Sequence, residues 1–281
     1  MDISVLMSVY AKDNPMYYRL ALESVTSRQV LKPKQVVVVF DGPVPDEIEI
    51  ITKEAEKKNT EIGFTIVRQE TNKGLAAALN TGLQSCSCEY VARMDSDDIS
   101  VPERFSLQVD YLQKHPETDL LGGFISEFTD DPQKTTSVRK VGCDKESILH
   151  MAKRRTPFNH VSVIYRKESV LAAGGYAEDF GKLEDYRLWV DMISAGMTFA
   201  NIDDILVNVR VGDGQLQRRS NTREITDWDN LQQYLLNAGI INRLDSIINM
   251  AAIRVFTYMP VGLKKVAYQT VLRRKKKTVE S

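Results

Sequence analysis

A chain of 281 residues, 43% hydrophobic and 27% charged, is long enough to bury a sizeable core and ordinary enough in composition to be globular. A net charge of −1 excludes a molecule that binds nucleic acid over its whole surface, and no run of about 18 apolar residues is present to span a membrane. Three cysteines (Cys86, Cys88 and Cys143) and three dispersed histidines (His115, His150 and His160) complete no metal-ligand spacing, so reduced thiols in a cytoplasmic protein are the expectation.

The N-terminus opens directly into an apolar strand at 3–9, without the basic and apolar regions of a signal peptide. Leu20, Ala21 and Val25 predict a helix over 15–26. The unbroken apolar run 36–40 suits a strand buried on both faces of a parallel sheet, and 47–58, rich in Glu and Lys, reads as an exposed helix. A strand at 64–67, an Ala-rich helix at 74–83, a strand at 90–94 and a helix at 102–114 follow. This alternation implies an α/β fold with a doubly wound, mostly parallel sheet flanked by helices. From 120 to 211 the pattern is mixed, with strands at 161–165 and 206–211 around helices at 167–173 and 185–195. Gly212-Asp213-Gly214 is a flexible break, and 221–272 reads as helical and increasingly basic. The predicted organisation is one domain over 1–215 and a helical, basic extension over 216–281.

In a doubly wound sheet, ligands bind beyond the carboxyl ends of the strands. Ser8, Asp41, Asn72 and the acids of Met94-Asp95-Ser96-Asp97-Asp98 all fall at those ends. Three carboxylates in four residues repel one another and call for a compensating cation. Aspartate oxygens are hard donors that suit Mg²⁺ or Mn²⁺, and Mg²⁺ sites commonly pair one or two carboxylates with substrate phosphates. A metal–diphosphate site is therefore the sharp reading, and a solvated acidic turn before the next helix the bland one. Asn72-Lys73-Gly74 opens a helix whose N-terminal N–H groups suit an anion. Asp185 lies three and four residues before Leu188 and Trp189, so it borders the buried side of its helix; burial raises its pKa and the helix N-terminus opposes that.

Six pieces in order make the chain resemble a family 2 glycosyltransferase of the GT-A fold: Val5-Leu6-Met7-Ser8-Val9-Tyr10, Val39-Phe40-Asp41-Gly42, Asn72 to Gly82, Met94 to Asp98, Gly174-Gly175-Tyr176 and Glu184-Asp185. The resemblance covers roughly 3–211 and names a family, not a substrate. It implies a nucleotide-sugar half over about 1–100 and an acceptor half over about 101–215. Ser8, Val9 and Tyr10 would line the nucleotide pocket and Asp41 would read the uracil edge. Asn72 and Gly74 would flank that pocket. Asp95, Ser96 and Asp97 would meet the donor, with Asp97 and Asp95 holding Mn²⁺ or Mg²⁺. Asp185 would be the general base of an inverting displacement. Asp98, His160, Glu184 and Arg218 are expected on the acceptor or the diphosphate; Arg218 stands in Gln215-Leu216-Gln217-Arg218-Arg219, which lacks the Trp of the comparable family motif.

The activity so implied is transfer from a nucleotide-diphosphate sugar, UDP-sugar first, to a glycan or lipid-linked saccharide in bacterial surface-polysaccharide synthesis. The rivals are a nucleotidyltransferase, whose glycine-rich loop is missing from Tyr10-Ala11-Lys12-Asp13-Asn14-Pro15, and a non-catalytic sugar-nucleotide scaffold. Residues 254–281 hold eight Lys and Arg against Glu280 alone, interleaved with apolar side chains. That segment predicts either contact with an anionic membrane through 254–277, peripheral on its inner face, or a packed helix with a solvated basic end. No motif there supports nucleic acid.

Overall fold

The computed structural model describes residues 1–212 and 222–259. Arg218 and the basic stretch from Lys264 onward lie outside the described residues. The first half follows the predicted alternation: β1 (Ile3–Val9), α1 (Pro15–Val25), β2 (Gln35–Phe40), α2 (Asp46–Lys58), β3 (Gly63–Arg68), α3 (Leu75–Ser85) and β4 (Tyr90–Met94). β3, β2, β1 and β4 are parallel neighbours. Their carboxyl ends therefore deliver the loops 10–14, 41–45, 69–74 and 95–98 to one edge.

The buried strands divide their side chains between two layers because successive Cβ atoms alternate across a sheet. Val5, Met7, Val36, Val38 and Ala92 pack with α1 and with Ile48 of α2, and Leu6, Val37, Val39 and Val91 pack with α3. Gly82 lets α3 approach closely: a Cβ there would stand 2.4 Å from a methyl of Leu6.

The sheet then continues through β5 (Ile99–Ser100), β6 (Leu120–Phe128), β7 (Ser137–Arg139), β8 (Ile164–Arg166) and β9 (Phe199–Arg210), in the order β3-β2-β1-β4-β8-β6-β9-β5 with β7 on β6. Helices α4 (Arg104–Lys114), α5 (Lys145–Ala152), α6 (Lys167–Ala172) and α7 (Glu184–Ser194) fill this half. The strand expected at 161–165 starts later, because His160–Ser162 forms a single 3-10 turn that exchanges hydrogen bonds through Ser162 with Gly123. The stretch expected to be helical over 221–272 is, in its described part, a hairpin of two helices, α8 (Thr222–Asn237) and α9 (Arg243–Tyr258). Gly239 at φ 72° ends the first helix, and the Asn242/Asp245 capping box starts the second. Arg254, counted above with the basic tail, belongs to this hairpin and pairs with Asp229 at 2.6 Å.

Candidate active site

The acid cluster follows β4 directly, and Arg93 from the same strand lies beneath it. Arg93 is 2% exposed, and its guanidinium meets Asp95 at 2.5 Å. Its Nε and Nη1 are buried and have no hydrogen-bond partner. A buried guanidinium with unused donors is costly. Desolvation alone would push its pKa down, but Asp95 and Asp98 hold it protonated. Arg93 went unassigned in the sequence, and the structure puts it at the centre of the site.

Burial drives up the pKa of Asp97, to about 6, with Asp95 and Asp13 adding like charge. Asp13 was missed in the sequence. It sits in the loop after β1, accepts from the Ser96 hydroxyl at 2.8 Å and from the Tyr10 N–H at 3.1 Å, and its own pKa is raised by burial. The site thus draws carboxylates from two strand ends. Ser96, expected against the donor, uses its hydroxyl here to tie the loops together. Asp98 is buried and accepts from the Arg210 N–H at 2.8 Å, fastening the acidic loop to β9. Asp98 is expected on the acceptor or the diphosphate; in the structure its carboxylate holds the loop. Arg210 supports the same corner, with its guanidinium 3.8 Å from the centre of the Tyr17 ring and its Nε donating to the Asp97 carbonyl.

Asp41, after β2, accepts from the N–H groups of Lys73 and Gly74 at 2.7 and 3.0 Å, while the Asn72 amide donates to the Asp41 carbonyl. These two N–H groups before α3, expected to meet a ligand anion, are met by the protein's own carboxylate. Gly42 is required at the turn: it has φ 82°, and a Cβ would lie 2.6 Å from the Asn72 nitrogen. Ser8 and Tyr10 reach the exit of β1, where the Tyr10 ring is exposed and Val9 is buried. Asn80 of α3 clasps the Gly174-Gly175-Tyr176 loop, donating to the Tyr176 carbonyl and accepting its N–H, both at 2.8 Å.

The other wall is the start of α7. Glu184 is buried with Oε2 unpartnered, and burial together with Asp185 pushes its pKa up to about 7. Asp185 is half-buried; burial raises its pKa, opposed by the Tyr186 N–H, Arg139 and Arg93. The charge of Arg93 therefore acts on both walls. His160 is placed behind the site, with Nε2 3.1 Å from the Tyr176 hydroxyl and its ring edge-on to Trp189. Burial and the Arg93 charge hold its pKa well below the usual imidazole range, which favours the neutral ring. Among the described residues, no three His, Cys, Asp or Glu side chains converge to hold a metal ion by themselves.

A family model described as glycosyl transferase family 2 matches residues 4–174. Among curated relatives, an uncharacterized glycosyltransferase of Haemophilus influenzae is 38% identical over 98% of this chain and 100% of its own length. The UDP-Gal:alpha-D-GlcNAc-diphosphoundecaprenol beta-1,3-galactosyltransferase of Escherichia coli is 33% identical over 96% of each chain. Among solved structures, residues 1–349 of Staphylococcus aureus TarS in complex with UDP-GlcNAc match with a TM-score of 0.65 at 18% identity, covering 97% of this chain and 76% of that one. The Pyrobaculum calidifontis mannosyltransferase PcManGT in complex with GDP-Man and Mn²⁺ matches with a TM-score of 0.62 at 17% identity, covering 96% and 75%. The fold is that of the GT-A glycosyltransferases.

Proposed function

The chain belongs to glycosyl transferase family 2, and from that premise we propose that it is a metal-dependent, inverting transferase. Its donor is a nucleotide-diphosphate sugar, UDP-sugar first, and its acceptor a glycan or lipid-linked saccharide in polysaccharide assembly. The observation that carries this reading is the pairing of two unlike carboxylate sites about Arg93: the crowded Asp13, Asp95 and Asp97 on one side and half-buried Asp185 on the other. UDP is preferred over GDP because a relative at 33% identity is named for UDP-Gal, whereas the GDP-Man complex is of a protein 17% identical.

The donor set fits a hard divalent ion. Asp97 and Asp95 supply carboxylate oxygens, and the pKa of Asp97 is raised first by burial and then by like charge, which a cation would relieve. A Mn²⁺ or Mg²⁺ ion bound there supplies electrostatic stabilisation of charge on the departing diphosphate. Ser8, Tyr10, Asp41 and the Asn72–Gly74 loop form the nucleotide wall. The unused Arg93 donors are poised for donor oxygens. Asp185 takes the proton of the acceptor hydroxyl as that oxygen bonds to the anomeric carbon. The carbon–oxygen bond to the diphosphate breaks on the opposite face, and its electron pair leaves with the nucleotide.

The division into donor half (about 1–100), acceptor half (about 101–215) and extension (216–281) belongs to the same reading. A peripheral position on an anionic membrane is supported by the basic sequence after residue 260 and by the exposed Ile247, Val255 and Tyr258 of α9. Among the described residues, no helix is long and apolar enough to cross a membrane.

Melting with a panel of nucleoside diphosphates, each with and without Mn²⁺, tests the reading. A ligand at about 100 times its Kd stabilises the native state by about 2.7 kcal/mol. UDP is expected to raise the melting point only with Mn²⁺, and Asp97→Ala to abolish the shift. No metal-dependent shift with any nucleotide would overturn the donor assignment.

A further inference from the structure

A cleft of about 1470 Å³ lies between α5 and the loop after it, the start of α7, and the α8–α9 hairpin. Asp185 stands in its wall, so the cleft opens onto the proposed base. Arg139, Arg154, Arg155 and Lys182 also line it, against the acids Glu146 and Asp227. Arg139 is close enough for its charge to favour the ionised form of Asp185. The opposite side is apolar, made by Trp228, Ile248, Ile253 and Phe256.

That apolar wall follows from the way α9 packs. The helix turns Ser246 and Asn249 inward, with the Asn249 amide donating to the Lys153 carbonyl at 2.7 Å and to Gln232 at 2.9 Å. Of the apolar side chains that α9 leaves exposed, Ile248 lines the cleft, whereas Leu244, Ile247 and Val255 lie outside its lining. Each square ångström of apolar surface kept in water forgoes about 25 cal/mol, so a helix built this way marks an interaction surface.

We propose that this cleft is the aglycone subsite of the acceptor: its cations hold a diphosphate, and its apolar wall takes the first units of the lipid that carries it. The inference rests on Asp185 as the base of a sugar transferase, and it adds the chemical class of what lies beyond the accepting sugar. A carboxylate for the hydroxyl, cations for an anion and branched aliphatics for hydrocarbon match the three parts of a lipid diphosphate sugar. A neutral glycan would need neither the cations nor the aliphatic wall. Residues 264–277 of this chain are basic and would set like charge against the four cations.

Farnesyl diphosphate, which has lipid and diphosphate but no sugar, is the probe. It is titrated into the full chain in EDTA, so that no metal recruits it to the donor site. Tryptophan fluorescence reads the binding, since Trp228 lines the cleft. Binding about tenfold tighter than inorganic diphosphate or farnesol is expected. Arg154→Glu and Ile253→Asp, at exposed and half-buried positions, are each expected to weaken it about tenfold or more. Equal affinity for inorganic diphosphate overturns the lipid half of the proposal, and equal affinity for farnesol overturns the diphosphate half. No binding, or binding unmoved by both variants, overturns the whole. The UDP-induced melting shift in Mn²⁺ is read in parallel on the wild-type chain. Its absence beside intact probe binding would sink the donor reading and leave the cleft standing.

Discussion

Arg93 meets Asp95 at 2.5 Å, yet keeps its Nε and Nη1 buried without partners. A buried ion pair with unused donors recovers only part of its desolvation cost, so this contact is weak evidence of stability. The Asp95 side chain is 37% exposed and stays hydrated if the pair is lost. Arg93→Met is therefore expected to change the stability of the free protein by no more than about 1 kcal/mol. In the proposed reading the idle donors meet the ligand, so the Mn²⁺-dependent UDP shift should fall to near zero. A large loss of stability with the UDP shift retained would make Arg93 a purely structural residue.

Asp185 must be ionised to accept a proton, and burial raises its pKa. Activity should then fall with acid along a limb lying above the ordinary aspartate value of about 3.9. Removing the Arg139 cation withdraws stabilisation of the ionised form, so Arg139→Ala is expected to move that limb to higher pH. Asp185→Asn should cost about 10² to 10⁴ in kcat with the UDP shift unchanged. Full turnover in Asp185→Asn would remove Asp185 from the base role.

Glu184 gives a stability signature without substrate. Its folded pKa is raised to about 7 from 4.5. Below about 4.5 both states carry the proton; between there and 7 the unfolded chain releases it while the folded chain keeps it. The stability it contributes is thus present at low pH and lost as pH rises through about 7, with a slope on the order of 1 kcal/mol per pH unit. Glu184→Gln cannot ionise. Denaturant melts should find it close to wild type at pH 4.5 and more stable by on the order of 1–3 kcal/mol at pH 8. Parallel curves for the two proteins would mean that Glu184 is hydrated in the fold.

What the sequence disclosed divides along physical lines. β2 was legible because a strand buried on both faces reads as an unbroken apolar run over 36–40, and β4 because its short run is broken only by Arg93. β6, all nine residues buried, escaped because Gly122 and Gly123 interrupt its apolar pattern, and a Cβ at either would collide with Asn201 or Leu206. The turn between α8 and α9 carries a sequence signal in Gly239 and Asn242. In the candidate site, Asp95, Asp97 and Asp185 could be proposed from their spacing. Arg93 and Asp13 did not, because their importance lies in burial and in contacts across 83 residues of chain, as between Asp13 and Ser96. The contacts of Asp98 with the Arg210 N–H and of His160 with the Tyr176 hydroxyl are likewise tertiary and could not be read from spacing.

Asp41 is where structural and recognition roles meet in one side chain. Its two oxygens accept from Lys73 and Gly74, fixing the loop before α3. A carboxylate has about four acceptor directions, so two remain to read an imide N–H. Asn in its place presents one oxygen and one NH₂, which cannot accept from both backbone groups. Asp41→Asn is expected to cost about 1–3 kcal/mol of stability through the N–H left unmet. If Asp41 also reads the base, UDP binding should weaken more than binding of nucleoside diphosphates that lack an imide N–H, such as CDP and ADP. That selective loss is the expected outcome, measured as melting shifts in Mn²⁺ across the panel. Equal weakening of all nucleotides would confine Asp41 to holding the loop and leave base recognition to the exit of β1.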